Sequence, residues 1–172
     1  MNASRTPRPL LASLLPAPLL LAPLLLAGCA AAPDRPETLR QALFNLGERA
    51  ADRVMEAPPL PKPPGDQVLL LAAPEVNGEL SIGQERFLES LTRALLAVSD
   101  GPQVLDWSDS MGDGAGDNQW RLESRLMADG PRLRLSDREL LPYRLTLVLR
   151  RPGSDSPQWE ESLQGALDAT AL

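Results

Sequence analysis

The spacing of apolar residues changes period several times along the chain, and each change predicts a different element. Leu39, Leu43, Leu46, Ala50 and Val54 recur at helical spacing, with Arg40, Glu48, Arg49, Asp52 and Arg53 on the other positions. This predicts an amphipathic helix over 37–56, with Glu37 in the first turn where it suits the helix dipole. Its narrow stripe can be covered by the chain's own domain or by another helix, and docking on its own domain is preferred. Gln67 to Ala73 is a continuous apolar run of strand length, suited to a central strand buried on both faces. Ser81 with Gln84 forms a capping-box pattern ahead of Phe87, Leu88, Leu91, Ala94, Leu95 and Val98, a broad helical face ended by Ser99-Asp100-Gly101. Gln103 to Trp107 then reads as a second strand, which makes a right-handed parallel β-α-β unit.

Beyond the Gly/Asp-rich stretch 108–118 the period becomes two. Trp120, Leu122, Ser124 and Leu126 alternate with Arg121, Glu123, Arg125 and Met127, and Tyr143, Leu145, Leu147 and Leu149 alternate with Arg144, Thr146, Val148 and Arg150. Pro152 to Ser156 is a turn, from which Gln158 to Leu163 returns as a last antiparallel strand. The expected fold class is α/β in the α+β sense: a small mixed sheet of about five strands, helices on one side, β-α-β followed by antiparallel strands. Between the first helix and the sheet, 57–66 holds five prolines in ten residues. Read as polyproline II, it is a spacer of roughly 30 Å.

The N-terminus changes the picture most. Arg5 and Arg8 precede an apolar stretch from Leu10 to Ala27 that is interrupted by Pro16, Pro18 and Pro23, and it ends in Leu26-Ala27-Gly28-Cys29. The prolines and the 18-residue length argue against a membrane-spanning helix. The four-residue ending resembles the bacterial lipobox. That resemblance implies a signal peptide over 1–28, cleavage between Gly28 and Cys29, and acyl chains (palmitate among them) on Cys29. Each buried methylene adds about 0.8 kcal/mol to such an anchor. In the resemblance to enterobacterial lipoproteins, alanine rather than aspartate at position 30 implies the outer membrane, with the chain facing the periplasm. The expected organisation is therefore the signal peptide 1–28, a lipidated tether 29–66 and a small α/β interaction domain 67–172.

Composition narrows the chemistry. Removal of the first 28 residues leaves 144 of 172 and takes the net charge from −6 to −8, because Arg5 and Arg8 go with them. An acidic chain with scattered cations is a poor ligand for nucleic acid. There is no histidine, and Cys29 is the sole cysteine. Ser-His catalysis, intrachain disulfides and usual zinc sites are thereby excluded. Carboxylate pairs remain (Asp106 with Asp109, Asp137 with Glu139, Glu160 with Glu161), and all read as solvated surface. Met111 to Asn118 is no EF-hand, since the twelfth position from Asp113 is Ser124 rather than glutamate. No catalytic residue, metal, cofactor or small-molecule substrate is expected, and the chain is read as a non-enzyme. One candidate interaction patch stands out. Arg121, Arg125, Arg144, Arg150 and Arg151 fall on the polar sides of neighbouring strands, with Glu123, Glu160 and Glu161 as available ion partners.

The order of the pieces resembles the LpoB-type activators of penicillin-binding proteins. The matching segments are Val68-Leu-Leu-Leu-Ala-Ala-Pro74, the helix with Phe87-Leu-Glu-Ser-Leu-Thr-Arg-Ala-Leu-Leu96, and Gln103-Val-Leu-Asp-Trp107. They continue with Asn118-Gln-Trp-Arg-Leu-Glu-Ser-Arg-Leu126, Tyr143-Arg-Leu-Thr-Leu-Val-Leu149 and Gln158-Trp-Glu160. The resemblance spans 67–167 and implies an outer-membrane lipoprotein of the cell envelope. Such a protein binds a bifunctional penicillin-binding protein and regulates peptidoglycan synthesis by protein–protein interaction. An accessory lipoprotein of another envelope assembly or secretion machine is the alternative. The family carries a further helix before its third strand, where this chain has only 108–118. No interface residue carries over by motif.

Overall fold

The computed structural model describes residues 39–111 and 116–169. Gly28, Cys29 and the signal-peptide reading lie outside the described residues, as do Glu37 and residues 112–115 of the Gly/Asp stretch.

The strand expected at 67–73 is β1 (Val68–Leu71), and the one at 103–107 is β3 (Gln103–Asp106). They run parallel, with Val68 opposite Gln103 and Leu71 opposite Asp106, and helix α2 (Gln84–Leu96) connects them. On the other side of β1 lies β4 (Gln119–Ala128), also parallel, with Leu69 opposite Trp120. β6 (Glu139–Arg150) returns antiparallel to β4, and β7 (Pro157–Asp168) is antiparallel to β6. The last strand thus runs five residues past the Leu163 that alternation alone had reached.

Two short pieces, β2 (Glu75–Val76) and β5 (Leu133–Arg134), bring the sheet to seven strands. They add no width. Pro74 has no N–H to give a ladder, so the chain leaves β4 briefly and rejoins it. Ala72 N donates to Leu122 O at 3.0 Å before the break, and Asn77 N to Leu126 O at 2.8 Å after it. β5 meets β6 at Glu139 and Leu140, on the side that β4 occupies further along. Seven strands therefore lie on five tracks, in the order β3, β1 with β2, β4 with β5, β6, β7, as the expected mixed sheet required.

One face of this sheet carries both helices. Leu69 and Leu71, Trp120, Leu122 and Leu126, and Leu141, Tyr143, Leu145, Leu147 and Leu149 all point into a single core with Phe87, Leu91, Ala94 and Leu95 of α2. Helix α1 (Leu39–Glu56) adds Leu43, Leu46, Ala50 and Val54, so it docks on its own domain. The two helices cross closely at Gly47, where a Cβ would lie 2.8 Å from the Ser90 carbonyl oxygen. At the same crossing Ser90 Oγ donates to Leu43 O at 2.6 Å.

Two expectations need correction. The segment 57–66 is not an extended spacer: Ala57 and Leu60 are buried in the core, and Asn118 Nδ2 donates to Asp66 O at 2.9 Å. The described part of the compact unit 35–172 accordingly takes in α1 and the segment 57–66, instead of beginning at Gln67. Nor does Ser81 open α2. It sits at φ 55° as the cap of a 3-10 turn, Gly78–Leu80, and α2 starts after Gly83 with no side-chain cap. Leu80 and Ile82 are both buried, and anchoring them fixes Ser81 in a turn.

Leu46 has no solvent exposure. Leu46→Ala is expected to lower unfolding free energy by about 2–5 kcal/mol in urea titrations, as for other buried leucines. A helix belonging to a detached tether would lose almost nothing.

Candidate functional site

The face of the sheet opposite the helices is where the arginines gather. Alternation puts Arg121, Glu123 and Arg125 of β4 on that face, and the pairing register sets them against Arg150, Val148 and Thr146 of β6. Arg144 lies further along, opposite Met127. Four of the five candidate arginines therefore share one surface, but they do not make a cationic patch. Glu123 takes Arg121 through Oε1 at 2.7 Å and Arg150 through Oε2 at 3.0 Å. Arg125 pairs with Glu75 at 2.6 Å, and Arg144 binds Asp129 through two nitrogens at 3.1 and 3.3 Å. The physical reason is spacing: Glu123 lies between Arg121 and Arg125 on one strand face, within reach of the arginine on the next strand.

Arg151 is elsewhere. One residue past Arg150, it turns to the helix-bearing side and stacks on the buried Trp120, with its guanidinium carbon 3.7 Å from the ring centroid. It also donates to the carbonyls of Asp117 and Gln119. It is a clamp on the start of β4.

Arg121 is more enclosed than Arg125, Arg144 and Arg150, with 17% of its side chain exposed. Its guanidinium lies 5.2 Å from the Trp107 ring centroid, and its buried Nε makes no hydrogen bond. Beside it the face sinks into a polar hollow of about 340 Å³ lined by Ala72, Glu75, Glu123, Arg125, Thr146 and Glu160, among others. Ala72 and Ala73 leave the depth, and charged side chains form the walls.

The carboxylate pairs are separated by the same geometry. Glu160 lines the hollow, whereas Glu161 on the next residue points to the helix side and meets Arg53 of α1 at 3.3 Å. Two neighbours on a strand cannot face each other across a cleft. Glu139 is shared by Arg134 at 3.4 Å and Arg132 at 3.7 Å, and Asp137 is paired with Arg138 at 3.4 Å. Asp109 opens a 3-10 turn, Asp109–Met111, and Asp106 ends β3. Among the described residues no three acidic, histidine or cysteine side chains cluster as a metal site.

A second surface was not visible as a site in the sequence. Leu88, Thr92 and Leu96 form a stripe on α2 beside the buried one, and with Ala97 and Asp106 they line an open apolar groove of about 620 Å³ along the β3 edge. The i, i+4, i+8 spacing carries the signal, but Leu88 also fits the broad core face and Leu96 falls outside it.

No family model matches the chain, and no curated protein does. Several solved structures are similar to it. One is the LpoB C-terminal domain from Salmonella enterica, 17% identical, with 72% of this chain and 97% of that one covered at a TM-score of 0.43. Another is a lipoprotein from Neisseria meningitidis, 10% identical, with 60% and 85% covered and a TM-score of 0.37. A hypothetical protein from Chlamydia trachomatis is 11% identical, with 60% and 74% covered and a TM-score of 0.43. Among the described residues no helix is long and apolar enough to cross a membrane.

The two-armed Glu123 pair is the electrostatic centre of the open face. Glu123→Gln is expected to cost about 1–3 kcal/mol in denaturant titrations, because it strands two partly buried guanidiniums. Glu75→Gln, whose pair with Arg125 is well exposed, should cost less than about 1 kcal/mol. Equal losses would contradict the assignment.

Proposed function

We propose that this chain is a lipid-anchored envelope protein that works by contact, binding and regulating a peptidoglycan synthase from the outer membrane. The observation that carries the reading is the ordered open face. Its arginines are held in fixed ion pairs around a hollow, and its acids are either paired or set on opposite sides of the sheet. Such a surface is suited to reading a complementary polar surface, since charges already fixed in place lose little freedom on binding. Catalysis by two carboxylates requires a facing pair at one cleft, and in this reading the chain performs no chemistry of its own. The lipobox at Leu26 to Cys29 supplies the membrane attachment. The order of strands and helix, which resembles the LpoB-type activators, supplies the class of partner.

Two measurements test it. Cys29→Ser is expected to move the chain from the membrane fraction to the soluble periplasmic fraction, and retention in membranes would contradict the anchor. The 35–172 unit as bait against solubilised envelope should enrich a bifunctional penicillin-binding protein and raise its glycan polymerisation. Arg125→Glu with Arg144→Glu should reduce that capture by about tenfold or more, which corresponds to about 1.4 kcal/mol. Capture of a different envelope complex with no synthase present would overturn the reading in favour of an accessory role.

A further inference from the structure

Three asparagines fall among the described residues, and the backbone nitrogen that follows each is placed differently. Asn45 lies inside α1, where the nitrogen of Leu46 is held in the helix ladder. Asn118 donates to Asp66 O, and the next nitrogen, that of Gln119, is itself bonded to Gly116 O at 3.0 Å. Asn77 is followed by glycine. It caps the 3-10 turn Gly78–Leu80, and the Gly78 N–H, as the first of that turn, has no partner among the described residues. Gly78 is exposed, and a Cβ built on it would meet nothing within 4 Å.

The Asn77 side chain is held as an electrophile. Its Oδ1 accepts from Glu79 N at 2.8 Å, a fixed donor on the oxygen where charge builds when the amide carbon is attacked. At φ −68° and ψ 128° the Gly78 nitrogen is turned away from that carbon, so the peptide plane between 77 and 78 has to rotate. One hydrogen bond resists the rotation, from Leu80 N to Asn77 O at 3.2 Å. Glycine accepts the φ that the rotation produces, which a residue with a Cβ would resist.

We propose that Asn77 is a site of spontaneous deamidation in the folded chain. The Gly78 nitrogen gives its proton to solvent and bonds to Asn77 Cγ, and the side-chain nitrogen takes a proton from water and leaves as ammonia. The product is a succinimide ring. Water then opens the ring at either carbonyl and leaves aspartate or isoaspartate at position 77. One water enters, one ammonia departs, and nothing is oxidised or reduced. The isoaspartyl product runs its main chain through the Cβ. It is therefore one atom longer between the Asn77 N to Leu126 O bond, 2.8 Å, and the buried Leu80. That slack loosens β2, and with it the Glu75–Arg125 pair on the wall of the open-face hollow. Asp129-Gly130 has a similar sequence without the reactivity. Arg144 holds both of its carboxylate oxygens, and an ionised carboxylate repels the attacking nitrogen. The synthase reading is not required for any of this.

Peptide mass mapping of the full chain, kept folded in neutral buffer and sampled over time, tests the proposal against a synthetic Glu75–Leu80 peptide. The fold adds to the barrier the breaking of one hydrogen bond, so Asn77 should convert within about tenfold of the peptide's rate. Asn45, Asn118 and Asp129 should stay unchanged over that period. Gly78→Ala should slow the conversion by about tenfold or more, since the Cβ crowds the attacking nitrogen and restricts φ. The open space around Gly78 leaves the fold of that variant intact, and far-UV circular dichroism checks this. Conversion slower than about a tenth of the peptide's rate, equal conversion at Asn118 or Asp129, or an unchanged rate in Gly78→Ala overturns the proposal.

Discussion

One layer of helix has to cover a sheet five tracks wide, and α1 is what makes that possible. α2 sits over β1 and β3, the strands it connects, and a single 13-residue helix spans only about 20 Å. The long hairpin of β6 and β7 would otherwise expose Leu141, Tyr143, Leu145, Leu147 and Leu149 to water. α1 closes that half. Its Leu46, Ala50 and Val54 enter the core, Arg49 donates to the Tyr143 hydroxyl, and Arg53 meets Glu161 on the edge strand. Gly165 stands opposite Tyr143 in the register, and its missing side chain leaves room for the phenol. The close crossing at Gly47 keeps both helices in one layer.

With both helices of the described residues committed to one face, the other face is held by its own side chains. It is built from charge pairs around a small apolar remainder. Leu70 is 2% exposed although it lies outside the main core, flanked in the register by Leu105 and Arg121. Long arginine stems cover apolar surface while their heads stay paired, and Glu123 holds two of those heads at once. The same arrangement that stabilises an uncovered sheet also fixes charges in a defined pattern, which ties this face to the proposed contact function. Such a lattice is weakened by salt at its exposed pairs and much less at its enclosed ones.

Much of this was legible in the sequence where period and burial agree. The alternation in 120–126 and 143–149 gave β4 and β6 their inward faces residue by residue, and the run at 67–73 gave the central strand. The helical stripe of Leu43, Leu46, Ala50 and Val54 gave a helix with one face to bury, and left open whether its own domain or another helix covers it. Legibility failed where tertiary contacts override local signals. The prolines of 57–66 read as a spacer because nothing local shows that Ala57 and Leu60 find a core. Ser81 and Gln84 satisfy the capping-box pattern, yet burial of Leu80 and Ile82 puts Ser81 in a turn instead. The arginines were placed correctly on the outward face except Arg151, which one step past Arg150 falls on the Trp120 side. Whether arginines on neighbouring strands repel or interleave with acids depends on register, and no single strand encodes that. Alternation ends at Leu163 because the next inward position is Gly165, which Tyr143 opposite it requires.

The most direct test of this architecture is native-state hydrogen exchange, read amide by amide. If α1 is part of the core, the amides from Leu43 to Val54 should exchange with the same slow, globally limited rates as those of Leu145 to Leu149. Exchange of α1 at the fast rates of a fraying peptide, with β6 and β7 still protected, would contradict the account and return that helix to the tether.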